Sequence, residues 1–317
     1  MALLARAEMS EVVLLFAGQG AQRVGMGRDL AESHPSAAGI FEKADAVLGR
    51  SLSTVMFDGP DDDLTRTANC QPALFVHGLA LLDLLKSALP DLQPAGVAGL
   101  SLGEWTAHTA AGTFGFEEGL KLVARRGELM DEACAAAGGA MAAMIGGDPD
   151  TVVQLANDCD VDVANFNAPG QIVLSGPAGG IEQAVAEAKG RGIRIAKRLN
   201  VAGAYHSRLM QSAQTALAEA LAAAGIGSPN LPVVSNFLAR PAEGPDAIRD
   251  SLTAQVTGSV RWEESMRWFL KRGHRLFIEL GPGRVLAGLM GRIDPDAEVL
   301  TVEDLPSLEA ALTKLRS

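Results

Sequence analysis

Ser101 stands in Gly99-Leu100-Ser101-Leu102-Gly103, a Gly-x-Ser-x-Gly run. A short apolar segment, Ala95 to Gly99, precedes it, and an alanine-rich stretch, Glu104 to Ala111, follows. A serine between a strand end and a helix start sits on a sharp turn, which lifts its hydroxyl above the sheet edge near the positive end of the helix. The chemistry this suits is nucleophilic attack, and it needs a base, because a free hydroxyl stays protonated at neutral pH. The same five residues also describe a glycine-rich turn with a solvated serine. The rest of the chain has to decide between the two.

Five histidines are available as the base. His34 and His274 lie in polar surroundings near helix ends. His77 lies in an apolar helix, and His108 sits two turns into the helix after Ser101, too far along to reach its hydroxyl; both read as structural. His206, in Ala202-Gly203-Ala204-Tyr205-His206-Ser207, has small neighbours that let the imidazole be approached, and it is the best partner. An α/β-hydrolase orients its histidine with an acid placed after the serine. Here the acids between 101 and 206 fall mostly in a separate module, so a Ser–His dyad is expected, with a backbone carbonyl able to hold the second ring nitrogen.

Two further groups stand out. Gln19 follows the apolar run Val12 to Phe16 and is flanked by glycines, so its backbone can approach a ligand; a loop glutamine facing water is the competing reading. That loop has neither GxGxxG nor GK[ST] spacing, which disfavours phosphate binding. Arg125 and Arg126 are adjacent on a helix expected over Phe116 to Ala135. One of them faces solvent, and Gly127 would let another backbone pack close to Arg126, which leaves a buried role open for that one.

Positioning these groups falls to alternating strands and helices. Apolar strand patterns at Val12 to Phe16, Ala95 to Gly99, Val233 to Ser235 and Leu276 to Leu280 are separated by helical ones, which implies a parallel sheet covered on both faces. Residues 140–199 carry the order β-α-β-β-α-β of a split βαβ unit. The expected fold class is therefore α/β: a parallel-sheet α/β-hydrolase-like core from 1–136 and 202–317, with a ferredoxin-like (βαββαβ) domain inserted at 137–201.

Composition narrows the function classes. The chain has 317 residues, 48% hydrophobic but 4% aromatic, with 35 glycines, which suits close-packed α/β layers. Its net charge of -11 disfavours a nucleic-acid partner, since phosphate binding needs a basic surface. Cys70, Cys134 and Cys159 form no CxxC pair, so neither a disulfide framework nor a metal site is indicated. No apolar run reaches the roughly 18 residues of a membrane helix, and Met1 to Glu11 is no signal peptide, so a cytoplasmic protein without membrane contact is expected. Lys189, Arg191, Arg194, Lys197 and Arg198 crowd into one segment. They read equally as a docking patch for an acidic partner and as a solvated strand edge kept from aggregating by charge.

Six motifs then occur in order: Gly18-Gln19-Gly20-Ala21-Gln22, the Gly-x-Ser-Leu-Gly-Glu elbow, Arg125-Arg126-Gly127-Glu128-Leu129-Met130, Asn165-Phe166-Asn167-Ala168-Pro169-Gly170-Gln171, Gly203-Ala204-Tyr205-His206, and Glu279-Leu280-Gly281-Pro282-Gly283. The pattern, from about residue 11 to about 300, resembles the malonyl-CoA:acyl carrier protein transacylases of fatty acid synthesis and the acyltransferase domains of polyketide synthases. The resemblance implies Ser101 as the acylated nucleophile and His206 as its base, with the N–H groups of Gln19 and Leu102 as oxyanion hole. It implies Arg126 as the clamp on the malonyl carboxylate, the Gln255 carbonyl as the group orienting His206, and Tyr205 as an aromatic crowding the acyl α-carbon. Malonyl-CoA and acyl carrier protein would be the substrates of a monomer that needs no cofactor. A polyketide acyltransferase, a malonate decarboxylase transferase subunit and a serine thioesterase or esterase stay open as alternatives. The chain departs from the resembled pattern at Leu100, where histidine is usual, and at Ser259, where proline is common.

Overall fold

The computed structural model describes residues 12–316; the reading of Met1 to Glu11 as no signal peptide concerns residues outside that range. The strands, in chain order, are β1 (Val13–Phe16), β2 (Gly96–Gly99), β3 (Ala140–Ile145), β4 (Asp162–Ala168), β5 (Gln171–Gly176), β6 (Ile195–Arg198), β7 (Leu276–Leu280) and β8 (Glu298–Val302). They form one parallel sheet, β2-β1-β7-β8, and one antiparallel sheet, β4-β5-β3-β6. The chain separates into two compact units, Met1–Gly127 with Gly225–Val234 and Trp268–Ser317, and Glu128–Ala224 with Ser235–Arg267.

The parallel sheet belongs to the first unit. Every residue of β1 and β2 is buried, as expected of strands covered on both faces. Val13 pairs with Gly96 on one side and Phe277 on the other, so β1 is central and the chain leaves it in both directions. Sheets of this kind collect ligands at the carboxyl ends of their strands, at such a switch point. The core helix of the unit is α1 (Thr67–Ala88). It is long and apolar enough to cross a membrane, a run not anticipated from sequence, yet 83% of its most apolar window is buried inside the protein. The sequence pattern suggested that α1 begins at Ala73, because Asn69-Cys70-Gln71-Pro72 looks like a link. The helix runs through Pro72, and the carbonyl of Ala68, which loses its usual donor to that proline, accepts from Arg50 Nη2 at 3.0 Å.

The helical patterns around Asp29 to Leu48 form two helices, Arg28–Ser33 and Pro35–Leu48, with Pro35 opening the second where its missing N–H is harmless. The strand expected at Val233 to Ser235 is a bridge of Val233 to Val97, flanked by the bonds Val97 N to Pro232 O and Val234 N to Val97 O.

The antiparallel sheet belongs to the second unit, where β3, helix α4 (Pro149–Asp158), β4, β5, helix α5 (Ala178–Ala188) and β6 follow in the order read from the sequence. Before these come helices α2 (Leu102–Ala110) and α3 (Phe116–Ala137), and later in the chain comes α6 (Gly244–Ala254). Met144, Leu155, Ile172, Leu174 and Ile181 lie in the core of this sheet and its helices. Asp148 caps α4, accepting from the N–H groups of Asp150 and Thr151. Strand β6 is an edge, and β4 slips register against β5 between Val163 and Asn165 and again between Phe166 and Ala168.

Candidate active site

In the first unit, β2 ends at Gly99 and α2 starts at Leu102. Ser101 between them has φ 55° and ψ -104°, a conformation that a non-glycine residue keeps only when its surroundings hold it there. Packing explains both motif glycines. A Cβ on Gly99 would lie 2.0 Å from the Gly103 backbone, and one on Gly103 would lie 2.2 Å from the Phe16 carbonyl oxygen. Leu102, as first residue of α2, offers an N–H that has no acceptor within its own helix. Gly18 is as tightly placed: a Cβ there would meet the Leu100 carbonyl oxygen at 2.5 Å and the Leu100 side chain at 3.1 Å. The loop carrying Gln19 is thus in backbone contact with the elbow, and Gln22 steadies it by accepting the Gly20 N–H at 2.8 Å.

Of the two adjacent arginines, Arg125 is exposed and Arg126 is 1% exposed. Arg126 donates from Nη1 to Gln71 Oε1 at 2.7 Å and from Nη2 to Ser101 Oγ at 3.1 Å. Its guanidinium also lies 6.0 Å from the centre of the Trp105 ring. A Cβ on Gly127 would sit 2.7 Å from the Thr67 carbonyl oxygen, so that glycine lets α3 approach α1 closely enough for Arg126 to reach Gln71. Gln71 was not singled out from the sequence. Its signal was there, an amide in a helix whose only other polar side chain over 70–82 is His77, but nothing local says which partner it serves.

In the second unit, His206 is buried and has φ 55°. Its Nδ1 lies 2.8 Å from the carbonyl oxygen of Gln255, a fully buried residue at the end of α6. A carbonyl can only accept, so Nδ1 carries the proton and Nε2 of the neutral ring is left as the basic nitrogen. Ser207 fixes the backbone on both sides of His206, donating to the Ala204 carbonyl at 2.7 Å and accepting from the Leu209 N–H at 3.2 Å. Tyr205 is buried and hydrogen-bonds to Cys134, whose thiol is pushed up to about 11 by burial against the opposing effect of that bond.

Two other histidines lie in the core. Burial lowers His77 to about 4, and lowers His108, whose Nδ1 lies 3.0 Å from Thr113 Oγ1, to about 3, so both are neutral core residues. Of the five clustered cations, Arg191 pairs with Asp158 and Glu187, and Arg198 pairs with Glu182 at 3.3 Å. Lys189, Arg194 and Lys197 are exposed and make no ion pair among the described residues.

Residues 13–303 match the acyl transferase domain family. The chain is 39% identical over 313 residues to the malonyl CoA-acyl carrier protein transacylase of Bacillus subtilis (strain 168), covering 97% of this chain and 98% of that protein. It resembles the crystal structure of the acyl-carrier-protein S-malonyltransferase from Bartonella henselae with a TM-score of 0.91 at 38% identity, over 96% of this chain and 100% of that one. A malonyl-transacylase solved in complex with its type II polyketide synthase acyl-carrier protein gives a TM-score of 0.93 at 35% identity, over 96% and 100% of the two chains.

Proposed function

The chain belongs to the acyl transferase domain family, and from that premise we propose that it moves the malonyl group of malonyl-CoA to the phosphopantetheine thiol of an acyl carrier protein in fatty acid synthesis. The observation that carries the reading is Arg126, a buried guanidinium bonded to the hydroxyl of Ser101. An acyl group that ends in a carboxylate can pair with such a cation at the reacting hydroxyl. An acetyl or alkyl group cannot.

The reaction runs in two halves. Ser101 Oγ attacks the thioester carbonyl while His206 Nε2 takes the hydroxyl proton. The oxyanion is held by the N–H groups of Gln19 and Leu102, a role worth about 3 kcal/mol per donor. The tetrahedral species collapses, the C–S bond breaks, and CoA leaves as a thiol with the proton from His206. The carrier thiol then gives its proton to His206 and attacks malonyl-Ser101, and the serine oxygen recovers that proton as it leaves. The Gln255 carbonyl keeps the ring in the tautomer both halves require and stabilises the imidazolium between them. Exchange between thioesters is nearly balanced, so base, oxyanion donors and carboxylate clamp suffice without a cofactor.

The same reading makes 1–136 and 202–317 an α/β-hydrolase-like core and 137–201 an inserted ferredoxin-like domain. The strand–elbow–helix at Ser101 supports the first, and the order β4-β5-β3-β6 with its two helices supports the second. The enzyme is a cytoplasmic monomer that meets the acidic carrier protein through Lys189, Arg194 and Lys197, and Tyr205 limits branching at the acyl α-carbon. A polyketide pathway would use the same chemistry, and the likeness to a transacylase bound to a polyketide carrier protein favours it as the second reading. The test is to supply malonyl-CoA with and without a holo acyl carrier protein of fatty acid synthesis. Malonyl carrier protein should form much faster than free malonate. Malonate as the main product in both cases would make the protein a thioesterase.

A further inference from the structure

Strand β4 carries both of the segments that meet in the His206–Gln255 bond. Asp162 Oδ2 accepts the backbone N–H of Arg208, two residues past His206, at 2.9 Å. The Arg208 guanidinium folds back onto Asp160 and Asp162 as well. Ser259, four residues past Gln255, donates its hydroxyl to the carbonyl of Val163, the next residue of β4, at 2.5 Å. The Val260 N–H donates to the Ala164 carbonyl at 2.8 Å, and the Val260 carbonyl accepts from the Phe166 N–H at 2.9 Å. The register slip between Val163 and Asn165 leaves Ala164 with no residue opposite in β5. An extra residue of this kind is unpaired in its own ladder, and its carbonyl is therefore open to Val260.

The chain between Gln255 and Ser259 has little slack. Gly258 N–H donates to the Ala254 carbonyl at 2.9 Å, and a Cβ on Gly258 would meet the Phe237 ring at 2.7 Å. A shift of Ser259 along β4 would therefore be passed to the Gln255 carbonyl. We infer that Ser259 is a positioning residue for His206, with Asp162 as its counterpart. The hydroxyl fixes the Gln255 loop on β4, the carboxylate fixes the His206 loop on the same strand, and the 2.8 Å bond is where the two registers agree. Val260 holds the loop to β4 by two backbone bonds, and the Ser259 hydroxyl adds a third, one residue nearer Gln255. The inference rests on the reading of His206 as the general base.

The test uses the full chain with Ser259→Ala, Ser259→Thr and Asp162→Ala. Two quantities are read: the rate of malonylation against malonyl-CoA concentration, and the NMR signal of the His206 Nδ1 proton in the resting enzyme, assigned by its loss in His206→Ala. Small misplacement of a catalytic group costs up to about a hundredfold, so Ser259→Ala should lower the maximal rate about 5- to 30-fold. The half-saturating concentration and Tm should stay put, and the Nδ1 proton signal should broaden. Ser259→Thr should restore rate and signal, and Asp162→Ala should broaden the same signal from the other side. An unchanged signal and rate in Ser259→Ala would overturn the inference, as would a loss that follows Tm and is not rescued by threonine. The NMR signal does not depend on acyl chemistry. If it responds to Ser259→Ala while His206→Ala malonylates at the wild-type rate, the base assignment has failed and the positioning has not.

Discussion

Replacing Arg126 by alanine removes a guanidinium that is 1% exposed and bonded to Gln71 and Ser101. A malonyl thioester must take its carboxylate out of water to bring its carbonyl to Ser101, and in the variant that carboxylate would find no cation. Breaking one side of a buried pair costs about 3–5 kcal/mol, or about two to four decades at about 1.4 kcal/mol per tenfold. Ser101 itself is half-buried, so the site is partly wet and the low end applies, about a hundredfold. Acetyl-CoA brings no carboxylate, so acetyl transfer should hold or improve when Arg126 becomes alanine. Arg126→Lys should recover part of the malonyl rate, because a point charge cannot supply two parallel donors to both oxygens. Arg125→Ala, one residue along but exposed, should change little. The assay is kcat/KM for malonyl- and acetyl-CoA with each variant. A malonyl preference that survives in Arg126→Ala, or a larger loss in Arg125→Ala, would refute the clamp and with it the substrate.

Other outcomes follow from the same geometry. Reversing Lys189 and Lys197 to glutamate should weaken transfer to the carrier protein, more so at low salt, and spare acylation by malonyl-CoA; equal loss of both half-reactions would count against a docking role. Methylmalonyl-CoA should be a poor substrate that improves in Tyr205→Ala, and comparable turnover of the two by the wild type would remove the steric role. Glu279 is buried and accepts from the N–H groups of Leu286 and Ala287 at 3.0 and 2.8 Å, yet burial raises its carboxyl from the usual 4.5 to about 6. Between those values the folded state binds more protons than the unfolded one, so this group's contribution to stability is present below about 4.5 and lost as pH rises through 6. Denaturant titrations should therefore show Glu279→Gln gaining on the wild type by about 2 kcal/mol from pH 4.5 to 7; parallel curves would show that Glu279 is not perturbed.

The elements nearest the chemistry were the most legible. The runs at β1 and β2 are apolar throughout and that at β7 is broken only by Glu279, and glycines at their ends mark places where the backbone must pass closely, as Gly18, Gly99 and Gly103 do. The order of the antiparallel sheet's elements was readable for the same reason, because turns at Gly146 and Gly170 punctuate its short strands. Strand β8 and the last helix, Leu305–Arg316, were not anticipated. β8 is half-exposed along most of its length and carries no motif. The start of α1 was hidden because the Ala68 carbonyl that Pro72 leaves without its helical donor is met by Arg50, 18 residues away in the chain. Long-range pairing also explains what was missed at the site. Gln71 meets Arg126, 55 residues away, and Ser259, visible in the sequence only as a departure from the resembled pattern, meets Val163, 96 residues away; no local pattern announces either contact.

Intact-protein mass spectrometry after adding malonyl-CoA tests the central claim most directly. The wild type should gain the mass of one malonyl group, located on the peptide containing Ser101, and lose it when holo acyl carrier protein is added. Ser101→Ala should gain nothing under the same conditions. Malonylation of Ser101→Ala at the wild-type rate, or transfer by the wild type with no acyl-enzyme detected at any time, would contradict the account.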